Sequence, residues 1–356
     1  MQRQIFKHIQ AMKTNKSVRS MFNTILQKVL LIAILGISLF VISCQESNTV
    51  VAPTSPKTNA SARLATDAIA VATNDTVYNV TFQNAKGLTL TAKLYVPALQ
   101  PGEQIPAMVV MHGCGGMWSN DNVAANKMKT NFNEWATDFT TKKIASLFID
   151  SYTNRLENGQ PIVEFCGRTP LNDSICSPVY ERTYDAYAGL AYLRSLPYIQ
   201  GSRIGLMGFS HGGSTTMAAL VNTTLVTKSQ WTVWYQNKTY NVAAPVARPA
   251  QGGFKTAVAY YPGGGFFSYF GSVSDATKGK YVNYAPLLIL IGKNDDLLAA
   301  TQVQYDRAKL NGAGTSIELV TYENANHSFD EKTTGDDAVA KAAARTKVSS
   351  WLAATL

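Results

Sequence analysis

Five short segments of this chain are apolar on both faces, and no other feature limits its fold so strongly. Ala107-Met108-Val109-Val110-Met111, Ala145-Ser146-Leu147-Phe148-Ile149, Ile204 to Met207, Thr256-Ala257-Val258-Ala259-Tyr260 and Leu287-Leu288-Ile289-Leu290-Ile291 show no alternation of polar and apolar residues. A strand with one wet face would alternate with period two, so these runs are expected as parallel strands covered on both sides. Helix-like segments supply the cover. Thr183, Ala186, Leu190 and Leu193 share one face within Val179 to Leu196, a second segment runs from Leu297 to Leu310, and Asp337 to Ala353 turns Val348, Trp351 and Leu352 inward. Ahead of them, Thr76 to Phe82 and Leu88 to Val96 alternate like an antiparallel strand pair, with Asn84 to Gly87 as the turn. The order implies an α/β fold: a mostly parallel central sheet, helices on both faces and an N-terminal antiparallel strand pair. Sheets of this kind bind ligands where loops leave the carboxyl ends of the strands.

The residues that carry chemistry fall at those ends. Gly208-Phe209-Ser210-His211-Gly212 is a GxSxG sequence set between an apolar run and a helix-like run, the context that marks Ser210 as a nucleophile on a sharp turn. A serine hydroxyl is a weak nucleophile, so it needs a base, an acid orienting that base, and donors for the developing oxyanion. His327, after the strand Ile317 to Tyr322, is the expected base. Asp295, which follows Ile291 through Gly292-Lys293-Asn294, is the expected acid, and the adjacent Asp296 is expected to cap the helix that starts at Leu297. Asp330 lies too near His327 in sequence to be favoured as the acid and is read as a surface carboxylate. The order Ser, Asp, His is that of α/β-hydrolases. The His211 amide, directly after the nucleophile, is one expected oxyanion donor, and Cys114 or Gly113 in His112-Gly113-Cys114-Gly115-Gly116 supplies the other. His112 is expected to hold that loop by hydrogen bonding. The His211 ring either lines the pocket or is structural.

His112-Gly113-Cys114-Gly115-Gly116, the helix with Arg182, Asp185 and Ala186, Arg203 to Gly213, Gly292 to Asp295 and His327-Ser328-Phe329-Asp330 together resemble the dienelactone hydrolase family of α/β-hydrolases, from about Thr76 to the C-terminus. The resemblance implies triad roles for Ser210, Asp295 and His327 and an oxyanion role for Cys114. Members named for dienelactone use a cysteine nucleophile on a carboxylated lactone. Serine at 210 points instead to the esterase members.

The beginning of the chain has a different character. Arg3, Lys7, Lys13, Lys16, Arg19 and Lys28 all precede the first acidic residue, Glu46, so most of the formal charge of +9 belongs to a leader. The remainder is nearly balanced and shows no basic helix or interleaved aromatic and basic residues, which argues against nucleic-acid binding. The leader runs into an apolar segment, Val29 to Ser43, shorter than the roughly 20 residues of a membrane span and suited to a signal peptide. Val41-Ile42-Ser43-Cys44 resembles the bacterial lipobox, whose cysteine is lipidated and becomes the first mature residue. Gln45 after it lacks the aspartate of inner-membrane retention, so an outer-membrane lipid anchor is expected. An uncleaved anchor or an ordinary signal is the alternative, and Met1 and Met21 are both candidate starts. Residues 1–44 thus read as leader and signal, 45–75 as a flexible tether rich in Ser, Thr and Asn, and 76–356 as the catalytic domain. Cys166 and Cys176 are neighbours in a loop, and export would favour a disulfide between them.

Two long loops could shape specificity. Ser151 to Pro178 carries Arg155 and Glu157, and Asn222 to Gly253 carries Trp231, Trp234, Tyr235 and Tyr240, either as a packed hairpin or as a ligand-binding rim. Trp118 and Tyr152 are candidates for the pocket wall or for the core. The expected activity is hydrolysis of a carboxylic ester, small or glycan-linked, through an acyl-serine intermediate with no metal or cofactor. A binding lipoprotein on a hydrolase scaffold, or a serine peptidase or acyltransferase, are the alternatives. The sequence sets neither the acyl and alcohol parts of a substrate nor the oligomeric state.

Overall fold

The computed structural model describes residues 74–167, 175–225, 231–235, 238–242, 244–263, 281–311 and 315–356. The leader, Cys44 and nearly all of the tether lie outside the described residues. So do the side chains of Trp231, Trp234, Tyr235 and Tyr240, although the backbone of β8 (Trp231–Tyr235) and β9 (Lys238–Val242) pairs as an antiparallel hairpin.

The central sheet has eight strands: β1 (Thr76–Gln83), β2 (Thr89–Val96), β3 (Ile105–Met111), β4 (Ala145–Asp150), β7 (Ile199–Phe209), β10 (Ala257–Tyr260), β11 (Leu287–Gly292) and β12 (Ile317–Tyr322). Across the sheet their order is β1-β2-β4-β3-β7-β10-β11-β12. β1 pairs antiparallel with β2, and β2 with β4; every other pairing is parallel. All residues of β4, β10 and β11 are buried, as strands apolar on both faces require. A two-stranded ribbon, β5 (Leu156–Glu157) with β6 (Gln160–Pro161), stands apart in the Ser151 to Pro178 excursion.

Because side chains alternate along a strand, each strand feeds two cores. Val109, Leu147, Ile149, Leu206, Ala259 and Ile289 face one layer, where they meet Leu190 and Leu193 of α2 (Arg182–Arg194), Met217 of α3 (His211–Ala219) and Ala308 of α4 (Leu298–Asn311). Their neighbours Met108, Val110, Phe148, Met207, Val258 and Leu290 face the other layer. There they meet Phe132, Trp135 and Phe139 of α1 (Thr130–Thr141) and Val348, Trp351 and Leu352 of α5 (Gly335–Thr355). Each such fully buried side chain contributes about 1.5–3 kcal/mol relative to exposure. Across the outer layer Arg345 of α5 stacks over the Trp135 ring at 4.6 Å and pairs with Asp138 at 2.5 Å.

α1 is not among the elements that the sequence leads one to expect. Its Thr and Asn content hides the signal, but Phe132, Trp135, Ala136 and Phe139 follow an i, i+3, i+4, i+7 stripe and all are buried. The other helices begin or end within about three residues of their expected limits.

Candidate active site

β7 hands the chain to α3 through a single residue, Ser210, whose φ of 49° and ψ of −110° lie in a region that a serine rarely adopts. Such a conformation costs on the order of 1–3 kcal/mol and holds only where the surroundings impose it. They do so here: the Ser210 N–H donates to Tyr260 O at 2.9 Å, and its carbonyl accepts from Ser214 N at 2.9 Å and Gly263 N at 3.1 Å. The flanking glycines are required by contact. A Cβ on Gly208 would lie 2.0 Å from Gly212 O, and one on Gly212 would lie 2.2 Å from Met111 O. The turn therefore closes only with both glycines present, which is the physical content of GxSxG.

The structure brings Ser210, His327 and Asp295 together from the ends of β7, β12 and β11. His327 Nε2 lies 2.9 Å from Ser210 Oγ, and His327 Nδ1 lies 2.8 Å from Asp295 Oδ2. With Nδ1–H donating to the carboxylate, Nε2 is left to accept the serine proton. The Asp295 side chain is 1% exposed and that of His327 38%, so the acid is sealed while the imidazole keeps access to a reactant. Asp295 also does the capping expected of Asp296: its Oδ1 accepts from Leu297 N at 2.9 Å and its carbonyl from Leu298 N at 2.9 Å, whereas Asp296 is exposed. One carboxylate can serve both purposes because its two oxygens point to different donors.

The loop carrying His327 is anchored from below. Asn326 N donates to Asp337 Oδ1 at 2.7 Å, and the His327 ring meets Tyr261 edge-on at 4.8 Å between centroids. The Tyr261 hydroxyl donates to Asp330, which also accepts from Asn131 Nδ2 at 3.0 Å. Asp330 is therefore no surface carboxylate. It is 2% exposed, and burial pushes its pKa up to about 6.

Beside the nucleophile runs the glycine-rich loop; a Cβ on Gly113 would lie 3.6 Å from Ser210 Cβ. Four successive carbonyls of this loop have donors. His112 O accepts from Arg182 Nη2 at 2.9 Å, Gly113 O from His112 Nδ1 at 2.7 Å, Cys114 O from Phe165 N at 2.7 Å and Gly115 O from Lys129 Nζ at 2.6 Å. In a trans peptide the C=O and the following N–H point in opposite directions, so holding the Gly113 carbonyl fixes where the Cys114 N–H is aimed. His112 does this as a neutral ring, with Nδ1–H donating and Nε2 accepting from Ser151 N at 3.2 Å. Burial, and then the nearby Arg182 charge, hold its pKa well below the usual histidine value. The His211 ring behaves likewise: 9% exposed, it accepts at Nδ1 from Arg182 Nη1 at 2.7 Å, and burial followed by Arg182 lowers its pKa. As the first residue of α3, His211 has an amide with no helical acceptor.

The expected cysteine pairing is corrected, and two residues left open between pocket wall and core are placed. The disulfide joins Cys114 to Cys166, with Cα atoms 4.9 Å apart, rather than Cys166 to Cys176. Nearness in sequence lowers only the cost of closing a loop. The fold instead lays Phe165 and Cys166 along the glycine-rich loop and buries Cys176, which is not part of that bridge, with Tyr152, Ile162 and Phe165. Trp118 fits the core alternative: it is 8% exposed, and its Nε1 donates to Asp150 Oδ2 at 2.6 Å. Tyr152 is 1% exposed and packs behind the active-site histidines, 4.4 Å from the His112 ring and 6.3 Å from that of His211. Sequence reasoning gave no role to Arg182, Lys129 or Asp150. A charged residue on the buried face of α2, beside Thr183 and Ala186, was the available signal for Arg182.

The profile of the prolyl oligopeptidase family matches residues 180–347. No curated protein matches the chain. Among solved structures, dipeptidyl peptidase 4 of Porphyromonas gingivalis superposes with a TM-score of 0.52 at 16% identity, covering 80% of this chain but only 36% of that one. A proposed dienelactone hydrolase from Klebsiella pneumoniae gives 0.50 at 14% identity, covering 78% of this chain and 99% of that one. A thermophilic esterase from Thermogutta terrifontis gives 0.50 at 15% identity, covering 78% and 91%. At such identities these neighbours speak for the fold alone, and with the strand order they show an α/β-hydrolase fold.

Proposed function

We propose that the chain is an exported, lipid-anchored carboxylic-ester hydrolase acting through an acyl-serine intermediate. The observation that carries this is the unbroken relay from Ser210 Oγ to His327 Nε2 and from His327 Nδ1 to Asp295, at 2.9 and 2.8 Å. As Oγ attacks the ester carbonyl, its proton passes to Nε2 and the carbonyl oxygen becomes an oxyanion facing the His211 and Cys114 amides. The imidazolium returns that proton to the departing alcohol. A water then repeats the sequence on the acyl-serine: its proton goes to His327, the acyl–oxygen bond breaks, and Ser210 recovers its hydrogen. Support for export comes from the basic leader, the apolar segment and Cys44, together with a disulfide at Cys114–Cys166 of the sort that persists in oxidising compartments.

A fluorophosphonate probe is expected to label Ser210, located by peptide mass spectrometry, and p-nitrophenyl acetate is expected to be turned over. Ser210→Ala should lower kcat by at least about 10³-fold. A folded protein that neither labels nor turns over short acyl esters overturns the proposal. The match to the prolyl oligopeptidase family favours a second reading, a serine peptidase with the same acyl-enzyme chemistry. Peptide p-nitroanilides cleaved faster than esters of the same acyl group would establish it.

A further inference from the structure

Arg182, the first residue of α2, is sealed inside the protein at 0% exposure. A buried guanidinium normally has a carboxylate partner, since an unpaired buried charge costs several kcal/mol. Among the described residues Arg182 has none. Asp185, one turn along α2, is occupied by Arg155 at 2.8 and 3.0 Å and by Asn84 Nδ2 at 2.8 Å. Arg182 Nε has no hydrogen-bond partner, and the guanidinium carbon sits 5.3 Å from the Tyr152 ring centroid. Its two remaining nitrogens go to two places only: Nη1 to the His211 ring at 2.7 Å and Nη2 to the His112 carbonyl at 2.9 Å. Those acceptors belong to the two separate segments that supply the oxyanion donors. His211 carries one amide itself, and His112 O heads the loop that carries the Cys114 amide.

Resting on the ester-hydrolase reading above, we propose that Arg182 is a positioning residue of the oxyanion hole. Its planar fork fixes the separation of the two amide donors, and its charge, which no carboxylate among the described residues pairs, adds positive potential where the tetrahedral oxyanion forms. A fork is needed for this. A lysine ammonium is a point donor and cannot replace two rigidly spaced N–H groups. Because Arg182 never reaches the substrate, losing it should weaken the transition state while leaving ester binding nearly intact.

The test uses the purified chain with Arg182→Gln and Arg182→Lys, p-nitrophenyl acetate as substrate, and the infrared carbonyl band of a trapped cinnamoyl-Ser210 acyl-enzyme. The expected result is a fall in kcat of roughly 100-fold for Gln and roughly 10-fold for Lys, with KM within about threefold of wild type. The acyl carbonyl band should also rise in frequency, because its oxygen is less polarised. If both variants keep kcat within about threefold, or the band does not move, the inference fails. Where the Gln variant does not fold, the Lys variant decides by the same two measurements. Wild type that labels at Ser210 while its Arg182 variants remain fully active overturns this inference alone; wild type that does not label overturns the hydrolase reading beneath it.

Discussion

At the scale of single residues, the triad was legible because each member occupies a strand end with a motif attached. Asp330 was not, since three residues after a histidine a carboxylate can face either solvent or core. The structure buries it between Tyr261 and Asn131, and burial raises its pKa from 3.8 to about 6. The sign of the consequence follows from linkage. Between about pH 4 and 6 the folded state binds more protons at this site than the unfolded state, so stability is lost as pH rises through that window. The size is about 3 kcal/mol as an upper figure. Asp330→Asn keeps the shape and removes the titration. Chemical unfolding of both proteins from pH 4 to pH 7 should therefore show the wild type losing ground to the variant by a few kcal/mol. A difference between the two that does not change with pH would show that Asp330 does not titrate as argued.

At the scale of elements, the parallel strands could be read from sequence because burial on both faces removes the period-two alternation, and the structure has each of them. The excursion from Ser151 to Pro178 could not, because its order comes from partners distant in sequence. Arg155 reaches Asp185 on α2, Phe165 N–H reaches Cys114 O, and Cys166 is bonded to Cys114. A peptide map under non-reducing conditions should find Cys114 linked to Cys166; a link between Cys166 and Cys176 would reject this arrangement. The bridge closes a separation of 52 residues, for which the chain-entropy model gives roughly 4 kcal/mol. Cys166→Ser should accordingly lower Tm by about 10 °C. It should also lower ester turnover, because the segment that holds the Cys114 carbonyl is released with it.

At the scale of the whole molecule, the described residues from Asn74 onward carry the eight-stranded sheet and the Ser210, His327 and Asp295 relay, and the proposed role of the N-terminal region is attachment. β1 begins at Thr76 and pairs only with β2 at one edge of the sheet, so the groups at the ends of β7, β11 and β12 lie several strands from Thr76. No helix among the described residues is long and apolar enough to cross a membrane. In the proposed lipid-anchored reading, the apolar run of fifteen residues from Val29 to Ser43 is short for a span, so attachment there would depend on lipid at Cys44. Cys44→Ala, expressed in a bacterium with lipoprotein processing, should move the protein from the membrane fraction to the soluble fraction and abolish metabolic labelling by palmitate. Its p-nitrophenyl acetate kcat should stay within about twofold of wild type, since the substitution lies outside every structural element that shapes the site. A variant that stays with the membrane would assign the anchoring to the apolar segment itself, held uncleaved.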